Sequence, residues 1–117
     1  MAPVRITYAN YEYVDEVMTL TFAEGPGESG VIMHFMRAMW EDESDSHEVV
    51  NGDHDNVDGA VMAWRQSGNE LHLRFHDVAA AQLGFDPETR LELDLAASQV
   101  GEVHQRLADI LVDVPED

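Results

Sequence analysis

Apolar and polar residues alternate with a period of two along most of the chain, and the spacing turns helical only near its end. The clearest alternation runs through Leu71, Leu73 and Phe75, with His72, Arg74 and His76 opposite. That is the pattern of a strand with one buried face. Just before it, Ala60, Met62 and Trp64 alternate with Val61, Ala63 and Arg65, and both faces are largely apolar. A strand apolar on both faces belongs in the middle of a sheet or under cover on both sides. Ser67-Gly68-Asn69 between the two supplies residues that tolerate positive φ. The stretch therefore reads as a hairpin at the centre of the sheet.

Elsewhere the same alternation predicts further strands. Pro3 to Ala9 places Val4, Ile6 and Tyr8 on one face. Tyr13 to Phe22 gathers Val14, Met18, Leu20 and Phe22, with Asn10 as the turn residue between the two strands. Tyr8, Tyr11 and Tyr13 read as edge-strand packing. Glu24 to Gly30 is a loop by its Gly and Pro content. Val31 to Trp40 is apolar at nearly every position. Its β-branched start favours a strand, while Met33, Met36 and Met39 have helical spacing and keep a helix reading open. Glu41 to Asp58 reads as a long loop with a short strand piece at Val49-Val50. Arg90 to Leu95 alternates again, with Leu91, Leu93 and Leu95 inward.

Two helices are expected. Asp77 can cap a short one over Val78 to Leu83, stopped by Gly84, with Phe85 folding back on its last turn. Ser98 can cap a longer one reaching Val112, whose stripe is Val100, Val103, Leu107, Ile110 and Leu111. Strands first and helices mainly at the end make an α+β fold. The expected architecture is an antiparallel sheet of about five or six strands, with the C-terminal helix and the short second helix packed on one face. Residues 1–117 form one domain, large enough to bury a core without staples.

Charge changes this picture more than composition does. There are 24 acidic residues against six arginines and no lysine, a net charge of -18. Such a chain repels nucleic acid and anionic membrane surfaces and suits a cationic partner. The competing reading is salt adaptation, with carboxylates covering the whole surface and arginine kept in place of lysine. The chain has no cysteine, which excludes disulfides and thiolate metal sites. No apolar run approaches the ~20 residues of a membrane-spanning helix. The N-terminal M-A-P-V-R-I-T-Y lacks a basic segment followed by an apolar one, so no secretory signal is expected.

The candidate chemistry concentrates in Glu41 to Asp58, which holds eight carboxylates, His47 and His54, and no basic residue. As a calcium loop it fails: counted from Asn51, the glycine position holds Asn56 and the closing glutamate position holds Met62. No metal or cofactor is expected. For catalysis, His72, Arg74 and His76 share a strand face, but a solvated face is the preferred reading. No carboxylate pair stands out as acid and base. Binding of a basic protein surface fits best. Glu41, Asp42, Glu43, Asp45, Glu48, Asp53, Asp55 and Asp58 would supply acceptors for Arg and Lys. Trp40 and Trp64 flank the stretch and are read first as core residues rather than interface anchors.

Several of these motifs occur in a familiar order. A Gly-led apolar strand, Gly30 to Arg37, precedes a variable acidic loop and Asp58-Gly59-x-x-x-x-Trp64. An L-x-L-x-F strand then runs into D-x-A-A-A-x-L-G (Asp77 to Gly84), followed by L-E-L-D-L (Leu91 to Leu95) and a closing helix. From Gly30 to about Leu111 this resembles the immunity protein 10 family of bacterial polymorphic toxin systems. The resemblance implies a small, non-enzymatic cytoplasmic antidote that binds and silences a cognate toxin. The toxin domain would be basic, with no direct nucleic-acid or membrane binding by the antidote. His34, Arg37 and the heavily charged loop depart from the family pattern, which leaves the partner undetermined. The alternative is a small acidic structural domain of a halophile, a homodimer through its sheet face.

Overall fold

The computed structural model describes residues 3–24, 30–39 and 46–116. Its strands are β1 (Val4–Ile6), β2 (Tyr8–Val14), β3 (Val17–Ala23), β4 (Ile32–Ala38), β5 (Glu48–Asn51), β6 (Asn56–Asp58), β7 (Val61–Ser67), β8 (Glu70–Phe75) and β9 (Glu88–Leu93). The helices are α1 (Asp77–Leu83) and α2 (Ala97–Ile110). The α+β class and the five-stranded antiparallel sheet are as the sequence predicts. That sheet has the order β2-β3-β4-β5-β6. The alternation also builds a second sheet, of order β1-β9-β8-β7, in which β1 runs parallel to β9.

The hairpin β7–β8 therefore does not sit at the centre of one sheet. It lies in the four-stranded sheet, with β7 at its edge. The apolar residues on both faces of β7 have a different cause. Val61 and Trp64 are buried in the core, and Met62 is left exposed where the register of β7 against β8 shifts between Val61 and Ala63. A bulge re-aims side chains and breaks strict alternation.

The first strands also differ from expectation. The chain passes from one sheet to the other at Thr7, whose N–H donates to the Ala23 carbonyl while the Ile6 carbonyl accepts from Asp94. The turn that joins β2 to β3 is Asp15-Glu16, not Asn10. Both residues have positive φ, 53° and 63°, as a two-residue hairpin turn requires. A β-carbon in this region costs roughly 1–2 kcal/mol. Glu16→Gly is expected to raise stability by about 1 kcal/mol, read as an upward shift of the urea midpoint. The Glu16 carbonyl, which accepts from the Met39 N–H at 2.7 Å, is untouched by that change.

The described part of the apolar stretch, Val31 to Met39, holds the strand β4 over Ile32–Ala38. Met33 points inward and is buried, Met36 lies on the opposite face, and Met39 is exposed beyond the strand. The Asp58 end of the acidic stretch forms the second strand of a β5–β6 hairpin rather than a loop. The short helix starts at Asp77 rather than being capped by it, with His76 in the cap position. Gly84 ends it at φ 76°, and the Phe85 N–H returns to the Ala80 carbonyl. Residue 98 falls inside α2 rather than at its cap; the Gln99 side chain accepts from the Ala96 N–H.

One core joins both sheets and both helices. The inward faces supply Leu20, Phe22, Met33 and Phe35 from one sheet and Leu71, Leu73, Phe75, Leu91 and Leu93 from the other. Ala80 and Leu83 of α1 and Val103, Leu107 and Ile110 of α2 complete it. Both helices thus lie on the core side of the five-stranded sheet. Its other face carries no helix or strand among the described residues.

Candidate functional site

The acidic hairpin β5–β6 forms an edge of the five-stranded sheet. Val49 pairs with Val57, and Val49 is fully buried against Phe35 of β4. Alternation then sends Glu48 and Asp58 to the outer face, directly opposite one another. Like charges in that position destabilise a hairpin. The Asn56 amide donates to Glu48, and no cation among the described residues pairs with either carboxylate.

Asp53 and Asp55 lie in the connecting turn, which Asn51 organises. Its Oδ1 accepts from the N–H groups of Asp53 and Asp55 at 3.0 and 2.9 Å. Its Nδ2 donates to the Leu83 carbonyl at 2.9 Å, tying the turn to the end of α1. Asn51 is buried. Asn51→Ala leaves that helix-end carbonyl and two turn N–H groups without partners. It is expected to cost about 1–2 kcal/mol, measured by urea denaturation.

A second set of contacts fixes where the hairpin starts. His47 is fully buried immediately before β5. Its Nε2 accepts from the Val61 N–H at 3.0 Å, so the ring hydrogen sits on Nδ1 and is donated to Asp113 at 3.0 Å. Asp113 also receives the Arg37 guanidinium at 2.6 Å, and Arg37 Nε donates to the Ile110 carbonyl at 2.8 Å. Burial pushes the His47 pKa below its ordinary value, against the opposing pull of Asp113. Burial works to raise the Asp113 pKa, but the His47 and Arg37 contacts outweigh it and hold the carboxyl below its ordinary value. These three residues lock the C-terminal end of α2 to β4 and to the start of the acidic hairpin.

The arginines are unevenly spread. Arg5, Arg65, Arg74 and Arg90, four of the six in the chain, lie on the outer face of the four-stranded sheet. Arg5 pairs with Asp94, Arg74 with Glu88 at 3.1 Å, and Arg90 with Glu70 at 3.1 Å. His72 also meets Glu70, at 2.6 Å, and the hydrogen bond from His72, then the charge of Arg90, lower the Glu70 pKa. Arg106 lies over the Tyr11 ring at 4.2 Å and Arg37 is buried. The outer face of the five-stranded sheet has no arginine among the described residues.

Of the eight carboxylates singled out from the sequence, Glu48, Asp53, Asp55 and Asp58 are gathered on this one hairpin. Glu41, Asp42, Glu43 and Asp45 lie outside the described residues, as does Trp40. Trp64 is a core residue, its Nε1 donating to the Val114 carbonyl at 3.3 Å. The sequence reading missed Glu12, Asp15 and Glu16, which place a second set of carboxylates along β2 and its turn, at the opposite edge of the same sheet. No Asn-Gly or similar turn signal marks the Asp15-Glu16 pair in the sequence. His72, Arg74 and His76 do not converge. The first two are held by carboxylates, and His76 has left the strand to precede α1. Among the described residues, no three His, Asp or Glu side chains come together as a metal-ligand set.

A family model described as immunity protein 10 matches residues 4–101. No curated protein and no solved structure gave a match.

Proposed function

Since the chain belongs to the immunity protein 10 family, we propose that it is a non-enzymatic antidote, binding and neutralising a cognate bacterial toxin domain in the cytoplasm. The family match over residues 4–101 carries this reading. The charge refines it. A net charge of -18 directs the protein toward a basic surface, such as one that a nuclease presents to phosphates. Blocking such a surface needs no catalytic group, only carboxylates held where the toxin's Arg and Lys side chains can reach them.

Glu48, Asp53, Asp55 and Asp58 meet that need on a hairpin fixed by Asn51 and His47, and Glu41, Asp42, Glu43 and Asp45 would continue the contact. Segregation of four arginines to the opposite side favours this over salt adaptation, which asks for carboxylates everywhere and no particular face. No helix is long and apolar enough to cross a membrane among the described residues.

The test is protection in cells. The cognate toxin domain is expressed with and without the chain. Growth restored by the native chain is the expected result. Unrelieved killing, with the chain folded and abundant, would sink the reading.

A further inference from the structure

We propose that the uncovered face of the five-stranded sheet is where the toxin docks, and that it takes a basic protein surface by seating it on an apolar band between acidic rims. The proposal rests on the antidote reading and names the surface that performs it. The band is formed by Val17, Ile32, Met36 and Val50, which the pairing registers place on the face away from the core. They are only half-buried, by their neighbours within the sheet. Glu12 on β2 bounds one side; Glu48 and Asp58 bound the other. At the centre, Thr21 and the His34 ring are hydrogen-bonded at 2.8 Å, which settles two polar groups where the partner would exclude water.

Size and charge decide what fits. Five strands of up to seven residues span roughly 20 by 24 Å at ~4.8 Å between strands and ~3.4 Å per residue. That gives a projected area of about 480 Å², more than half of the ~800 Å² per partner of a stable interface. A second copy of this chain is the wrong occupant. A two-fold contact through this face would set its acidic rims against themselves, and like-charge juxtaposition opposes association. A partner rich in Arg and Lys meets carboxylates at both edges of a face whose interior, Thr19, Thr21, Ile32, His34, Met36 and Val50, holds no carboxylate. The outer face of the other sheet offers less of a complement, because three of its carboxylates, Glu70, Glu88 and Asp94, are already matched by arginines.

The probe is a catalytically inert form of the cognate toxin domain, titrated against the native chain and three variants. Thr19→Arg puts a cation in the middle of the face and is expected to weaken binding about 100-fold. Glu12→Arg, on an exposed edge strand away from the core, is expected to weaken it about 10-fold and stands in should Thr19→Arg unfold. Arg65→Glu, on the opposite sheet, is expected to change binding by less than about 3-fold. If the native chain binds and both face variants bind equally well, this face is wrong while the antidote reading stands. If the native chain itself does not bind, both fall together. Self-association of the native chain that Glu12→Arg or Thr19→Arg abolishes would assign the face to a second copy and overturn the proposal.

Discussion

Asp113→Ala is expected to destabilise the protein by about 2–3 kcal/mol. Removing one partner of a buried ion pair commonly costs more, because the remaining charge is stranded. Here two features reduce the figure. Asp113 is itself partly exposed, and Arg37 keeps the Ile110 carbonyl. What remains is the loss to a fully buried His47, whose Nδ1–H would have no acceptor.

The same cluster sets a pH dependence. His47 folds in its neutral form, with its pKa lowered by burial. Below about 6.5, the ordinary histidine value, the unfolded chain takes up a proton that the folded chain refuses. Stability is therefore full above that pH and falls as the pH drops below it, by at most ~1.4 kcal/mol per unit for each such proton. His34, whose pKa burial and then His54 also lower, contributes in the same direction. Asp113 has a folded pKa below its ordinary value, so its contribution is lost only in a second window, below about pH 4. Urea midpoints between about pH 8 and 5 should show the upper decline, and His47→Gln should make it shallower. A flat profile for the native chain would contradict the buried neutral imidazole.

The second large effect is on association. Reversing Glu48, Asp55 and Asp58 to lysine together is expected to slow binding of the toxin domain about 10- to 100-fold at low salt. The effect should shrink as salt is raised and the screening length falls below ~10 Å. Stability should move the other way. Glu48 and Asp58 face each other across the hairpin, so Asp58→Lys alone should raise the melting temperature by replacing a repulsion with an attraction. A hairpin that gains stability while losing toxin binding is carrying its charges for the partner. An unchanged association rate would remove the hairpin from the interface.

Much of the fold was legible because local pattern and global structure agree. β4, β8 and β9 each bury one face in strict alternation, and α2 buries Val103, Leu107 and Ile110 as its stripe requires. The division into two sheets was not legible. It depends on β1 finding β9 from the far end of the chain and on a change of sheet at Thr7, which carries no Gly or Pro to mark it. The Asp15-Glu16 turn was hidden because carboxylates occupy positions where Asn-Gly would have announced it. β6 was hidden among acids, since Val57 alone turns inward from it. At the site, the density of carboxylates was obvious from sequence. Their placement was not, because it depends on contacts such as that of Arg37 with Asp113, formed between residues far apart in the chain.

The measurement closest to the central claim is calorimetric titration of the native chain with the cognate toxin domain, at low salt and again at high salt. A one-to-one complex whose affinity falls steeply with salt is the result this account expects. A folded chain that leaves the toxin domain unbound, or a complex indifferent to salt, would contradict it.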